Sequence, residues 1–128
     1  MHLSHIAIWT SDLERSKHFY ETWFGGRANT KYHNQQTGFT SYFLSFSTGA
    51  RLEIMQRPDI TSLNSSDGEQ LGLAHMAFSV GNADDVDTLT ERFRAAGVVI
   101  ASEPRTTGDG YYESVVLDPD GNRVEITT

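Results

Sequence analysis

The same order of elements runs twice along this chain, and that duplication constrains the fold more than any other feature. Leu3–Trp9 is apolar and reads as a buried strand. Thr10-Ser11-Asp12 follows as a helix-start signal, because a Ser or Asp side chain can accept backbone N–H bonds at an N-cap. Leu13, Ser16, Tyr20, Trp23 and Phe24 recur at helical spacing, and Gly25-Gly26 stops the helix. Three strand-like runs come next, Arg27–His33, Phe39–Ser47 and Arg51–Gln56, with turns at Gln35–Gly38 and Thr48–Ala50. The pattern then restarts. Gly72–Val80 reads as a strand, and Asn82-Ala83-Asp84 opens a helix with Val86, Leu89, Phe93 and Ala96 on one face and Gly97 at its end. Val98–Thr106, Tyr111–Leu117 and Arg123–Thr127 are the strands that close it, with a turn at Asp118-Pro119-Asp120-Gly121. The chain therefore reads βαβββ, linker, βαβββ: a first module over about 1–56, a linker rich in Ser, Asn, Asp and Gly over about 57–71, and a second module over about 72–128. The repeat is one of pattern; the identities that align are chiefly His5-x-Ala7 with His75-x-Ala77.

Each half carries a His in its first strand and a Glu in its last, separated by 48 positions for His5 and Glu53 and by 50 for His75 and Glu125. Side chains alternate faces along a strand. His5, Ala7 and Trp9 oppose Ile6 and Ile8; Arg51, Glu53 and Met55 oppose Leu52 and Ile54. In the second half His75, Ala77 and Ser79 oppose Met76, Phe78 and Val80, while Arg123, Glu125 and Thr127 oppose Val124 and Ile126. Each aliphatic face suits packing under a helix, and each His or Glu lies on the other face. A lone strand His is usually a satisfied structural residue, and a Glu opposite aliphatic neighbours is usually the solvent face. Neither explanation relates the two halves, whereas a metal site does. Two imidazoles and two carboxylates suit Zn²⁺, Ni²⁺, Co²⁺, Mn²⁺ or Fe²⁺; soft-metal sites want sulfur, and Ca²⁺ or Mg²⁺ prefers all oxygen. Two Glu charges would neutralise a divalent ion, which makes a Lewis acid beside a carboxylate base.

Bulk properties bound the rest. A length of 128 residues fits one compact domain. The absence of cysteine excludes thiolate ligands, disulfides and a Cys nucleophile, and is compatible with a cytoplasmic location. A net charge of −7 argues against nucleic acid as a partner. No run approaches the roughly 18 apolar residues of a membrane span, and Met1–His5 lacks the basic-then-apolar order of a signal peptide. Gly108-Asp109-Gly110 is too slight for a dinucleotide loop; it reads as a turn leading Tyr111 and Tyr112 toward the cavity that the His and Glu face would line if the sheet curls into a cup. His2, His18 and His33 match no ligand pattern.

His5-Ile-Ala-Ile, Asp12-Leu-Glu-Arg-Ser16-Lys-His-Phe19-Tyr20, Arg51-Leu-Glu53-Ile, His75-Met-Ala-Phe-Ser-Val80 and Asp118-Pro-Asp-Gly-Asn-Arg-Val-Glu125-Ile resemble the vicinal oxygen chelate superfamily, above all its glyoxalase I (lactoylglutathione lyase) branch. The resemblance covers nearly the whole chain. It implies an α+β fold in which two βαβββ modules form a cup-shaped, curved mixed sheet with helices outside. It implies metal ligands His5, Glu53, His75 and Glu125, with Ni²⁺ or Zn²⁺ foremost, and Glu125 as the proton-moving base with Glu53 as a second. Related dioxygenases and thiol transferases use only His, His and Glu, and methylmalonyl-CoA epimerases commonly carry Gln at the Glu53 position, so Glu53 favours glyoxalase chemistry. Glyoxalase I proteins usually hold glutathione with an Arg and an Asn where this chain has Trp9 and Arg57. Trp9, Arg57, Tyr111 and Tyr112 are accordingly the expected small-molecule contacts. The resemblance also implies a homodimer whose sites are shared between chains. The other expectations to be weighed are a sibling metalloenzyme (thiol transferase, extradiol dioxygenase or epimerase) and a metal-free drug-binding resistance protein.

Overall fold

The computed structural model describes residues 1–61 and 72–128; most of the expected linker, 62–71, lies outside them. The chain divides into two compact units, Met1–Ser65 and Ser66–Thr128.

The first unit runs β1 (His5–Trp9), α1 (Leu13–Phe24), β2 (Arg27–Ala28), β3 (Tyr32–His33), β4 (Thr40–Ser45) and β5 (Arg51–Gln56). Helix α1 starts where Asp12, in extended backbone, accepts a bond from the Arg15 N–H, and ends at Gly25, whose φ of 66° is readily adopted only without a side chain. Gln56 ties this start to the sheet: its amide oxygen accepts from the Leu13 N–H and its NH₂ donates to the Ser11 carbonyl. The sheet order is β1-β5-β4-β2, with β3 also on β4; β1 is parallel to β5 and the rest is antiparallel. Leu52, Ile54, Tyr42 and Leu44 form one buried face, and α1 contributes Leu13, Phe19 and Tyr20 to the core.

The expected strand Arg27–His33 is two strands instead. Between the pairs Ala28↔Leu44 and Tyr32↔Ser41, four steps on one side meet three on the other, so a residue is bulged out. Asn29 makes the break tolerable: its side chain accepts from the Phe43 N–H at 2.8 Å while its own N–H donates to the Phe43 carbonyl. Strand β1 is shorter than Leu3–Trp9 because its partner β5 starts at Arg51, which donates to the Ser4 carbonyl.

The second unit runs β6 (Met76–Ser79), α2 (Ala83–Ala95), β7 (Ile100–Thr106), β8 (Tyr112–Leu117) and β9 (Arg123–Thr127), in sheet order β6-β9-β8-β7. Asn82 and Asp85 form a reciprocal capping box at the start of α2. Pro104 is accommodated because β7 is an edge strand whose register shifts between Ser102 and Arg105. Val86, Thr90 and Phe93 of α2 share the core with Val116, Val124 and Ile126. Each unit also buries one hydroxyl pair at 2.6 Å, Thr10 with Ser16 and Thr90 with Ser114, so no polar group is stranded there. The architecture is the expected α+β one: two mixed sheets, each with one helix.

Candidate active site

Register places the four expected ligands in matching positions. In the parallel pair β1–β5, Ala7 lies directly across from Glu53; in β6–β9, Ala77 lies directly across from Glu125. Each His precedes its Ala by two residues and so shares its face. The small Ala leaves room over each Glu, and the His reaches across diagonally. His5 Nε2 stands 3.9 Å from Glu53 Oε2, and His75 Nε2 stands 3.3 Å from Glu125 Oε2. The carboxylates are largely buried, with side chains 15% and 14% exposed, while the imidazoles are 40% and 46% exposed. His75 sits one residue before β6, not within it as the strand Gly72–Val80 would have it. His5 is steadied by an edge-on contact with Phe43 at 5.2 Å. Each unit thus holds one imidazole–carboxylate pair; among the described residues no group of three or more His, Cys, Asp and Glu is gathered as a metal cage.

The two pairs differ in their surroundings. Burial, then the charge of Glu113, push the Glu125 carboxyl above its usual range; His75 pulls it the other way, and a hydrogen bond with Glu113 and the charge of Asp109 add to the rise. Glu113 belongs to the same face, since Val115 pairs with Glu125 and Glu113 with Thr127. Its Oε1 lies 3.6 Å from Arg105 Nη2. Sequence reading missed Glu113. The fixed antiparallel register through the Asp118–Gly121 turn was the signal that would have found it.

Of the expected substrate contacts, Trp9 lies on the His5–Glu53 face of β1, 39% exposed, with the Arg57 guanidinium 5.4 Å above its ring. Arg57 Nε meets Asp59 Oδ1 at 2.5 Å. Tyr111 is exposed at the end of the Thr107–Tyr111 turn. Tyr112 is not brought to the Glu125 face. It shares the parity of buried Ser114 and Val116, and its hydroxyl donates to Asp87 on α2 at 2.8 Å. That hydrogen bond explains why the Tyr112 hydroxyl holds its proton more tightly than usual.

Residues 2–126 match the Glyoxalase/Bleomycin resistance protein/Dioxygenase superfamily, and the chain belongs to it. This is the superfamily to which the sequence motifs pointed. Over 127 residues the chain is 26% identical to the glutathione transferase FosA of Serratia marcescens, covering 97% of this chain and 78% of that protein. The crystal structure of the glyoxalase family protein from Enterococcus faecalis is similar with a TM-score of 0.81 and 25% identity, over 98% of this chain and 96% of that one. The trypanothione-dependent glyoxalase I of Leishmania major is similar with a TM-score of 0.78 and 25% identity, over 100% of this chain and 86% of that one. No helix among the described residues is long and apolar enough to cross a membrane.

Proposed function

We propose that the chain is a divalent-metal-dependent lyase or isomerase of the glyoxalase I type, acting on the hemithioacetal of a 2-oxoaldehyde and a thiol. The observation that carries this reading is the equivalence of the two registers: Ala7 opposite Glu53 and Ala77 opposite Glu125, each with a His two residues upstream. Two imidazole nitrogens and two carboxylate oxygens fit Ni²⁺ or Zn²⁺, with Mn²⁺, Co²⁺ and Fe²⁺ as further occupants. His5, Glu53, His75 and Glu125 would hold the ion. When bound, it supplies a Lewis acid for the negative charge that develops on the two substrate oxygens. Glu125 is the base: its carboxylate takes the proton from the carbon bearing sulfur and hydroxyl and returns it to the neighbouring carbonyl carbon, giving the thioester of a 2-hydroxy acid. The features that raise its proton affinity, burial and Glu113, suit it to that exchange. Glu53 is the alternative base. Because neither pair alone fills a four-ligand shell, the reading brings the two pairs together, and we place that meeting in a homodimer with shared sites.

The test is incubation of the purified protein, reloaded with Ni²⁺ or Zn²⁺, with methylglyoxal and glutathione, following thioester absorbance. Turnover that needs the metal and is lost in Glu125→Gln is expected. Metal uptake with no thioester from glutathione or any other thiol overturns the reading. The similarity to a glutathione transferase favours one second reading, opening of an epoxide by a thiol. Consumption of thiol with an epoxide, and none with methylglyoxal, would establish it.

A further inference from the structure

Row by row across their sheets, the two units differ in a way that the duplication conceals. On the ligand face of the first unit, Ala7, Glu53 and Phe43 form one cross-strand row. The next row, two residues along β1, is Trp9, Met55, Ser41 and Tyr32. On the second unit the first row is Ala77, Glu125 and Val115, and the next is Ser79, Thr127, Glu113 and Arg105. The same place beside the Glu is therefore mostly apolar and aromatic in one unit, with Ser41 its one polar member and buried, and polar and charged in the other.

The aromatic row continues as a contacting series. Trp9 meets Phe39 edge-on at 6.1 Å, and Phe39 meets Tyr32 at 5.9 Å. Trp9 and Tyr32 are 39% and 54% exposed, so this surface is not core. Arg57 lies over Trp9 and borders a cavity of about 420 Å³ shared with Thr37, Pro58 and Asp59. Asp59 engages Arg57 through Nε, which leaves the two terminal nitrogens without another partner among the described residues. The guanidinium is thus oriented by a ring and a carboxylate while its paired donors, suited to a second carboxylate, stay available.

We propose that this row is the specificity subsite and that it takes a flat aromatic group bearing a carboxylate, the ring against Trp9, Phe39 and Tyr32 and the carboxylate on Arg57. The assignment rests on the reading of the His5–Glu53 pair as part of the reaction centre. Two strand residues rise about 6.6 Å, so a ring on Trp9 sits one short substituent from a carbon that reacts beside Glu53. Ring stacking supplies affinity and the guanidinium supplies the preference for an acid.

Trp23→Phe leaves Trp9 as the sole tryptophan, and its fluorescence reads the subsite directly in chelator, without metal or turnover. Titration with 4-nitrobenzoate should give saturable quenching, at least fivefold tighter than 4-nitrobenzamide. Adding Arg57→Gln should bring acid and amide to equal affinity, and Arg57→Lys should keep part of the preference. Phe39→Ala should weaken both ligands about fivefold. Circular dichroism confirms that each variant is folded. Equal binding of acid and amide by the parent, absent saturation, or a preference unmoved by Arg57→Gln overturns the proposal. Failure of the metal-site reading shows separately, as no metal uptake by a protein that still binds 4-nitrobenzoate.

Discussion

Glu113 and Glu125 present two carboxylates to the same face of the second sheet, and Glu113 Oε1 lies 3.6 Å from Arg105 Nη2. The charged form of Glu125 is therefore disfavoured in the fold, chiefly by burial and then by Glu113. A carboxyl whose folded affinity for protons is raised costs stability above its folded titration and nothing below its unfolded one. In chelator at pH 7, Glu125→Gln should raise the melting temperature by roughly 2–5 °C. The gain should fade as pH falls through the carboxylate range, while the variant loses catalytic turnover at every pH. Differential scanning fluorimetry at pH 4 and pH 7 separates this from a general packing effect, which would not depend on pH.

Metal should act on the two His variants differently from chelator. A bound ion at about 100 times its dissociation constant adds about 2.7 kcal/mol to stability. For a chain of this size that is on the order of 10 °C in Tm. The parent should show that shift with Ni²⁺ or Zn²⁺; His5→Ala and His75→Ala should lose most of it and melt like the parent in chelator, since neither imidazole is buried. If His75→Ala instead melts lower by the same amount with and without metal, the histidine is a packing residue and the metal reading is refuted.

Away from the site, Glu14 of α1 ties the helix to the sheet. It accepts from Lys31 at 2.9 Å and from the Tyr42 hydroxyl at 3.1 Å. The Lys31 bond is the main cause that holds Glu14 below the usual carboxylate range and lifts Lys31 above its own. A depressed carboxyl contributes stability above its unfolded titration and loses it as pH falls through the folded one. A raised lysine contributes below its unfolded titration and loses it as pH rises through the folded one. Glu14→Gln should therefore cost about 0.5 kcal/mol at pH 7, a discounted value for an exposed pair, and close to nothing at pH 3. Urea melts at the two pH values measure it.

The duplication and the faces that carry His5, Glu53 and Glu125 were legible because alternation alone decides them: Ile6 and Ile8 against His5, Leu52 and Ile54 against Glu53, Val124 and Ile126 against Glu125. What alternation cannot reveal is a polar residue satisfied inside. Ser114 is buried and bonded to Thr90, and Tyr112, of the same parity, lies on the helix side rather than beside Glu125. The break in Arg27–His33 was hidden for a related reason, since Asn29 replaces a ladder bond with a side-chain one. The aromatic row was half visible through Trp9. Tyr32 and Phe39 join it only through pairing between strands far apart in sequence.

The proposed sharing of the site between chains yields the sharpest remaining test. His5 pairs with Glu53 in the first unit and His75 with Glu125 in the second, so the proposed quartet would draw on both units, of one chain or of two. His5→Ala spoils the first unit's pair and His75→Ala the second's. If quartets form within a chain, a mixture of the two variants contains no intact site. If they form between the two chains of a homodimer, the mixed dimer combines the intact second unit of one variant with the intact first unit of the other. It then holds one complete site and one doubly defective site. Random exchange makes half the dimers mixed, so activity should return to about a quarter of the parent's. Refolding the variants together, with each alone as the control, reads this directly. Inactive mixtures, or parent activity that sediments as a monomer, would rule out shared sites and put the full quartet within one chain.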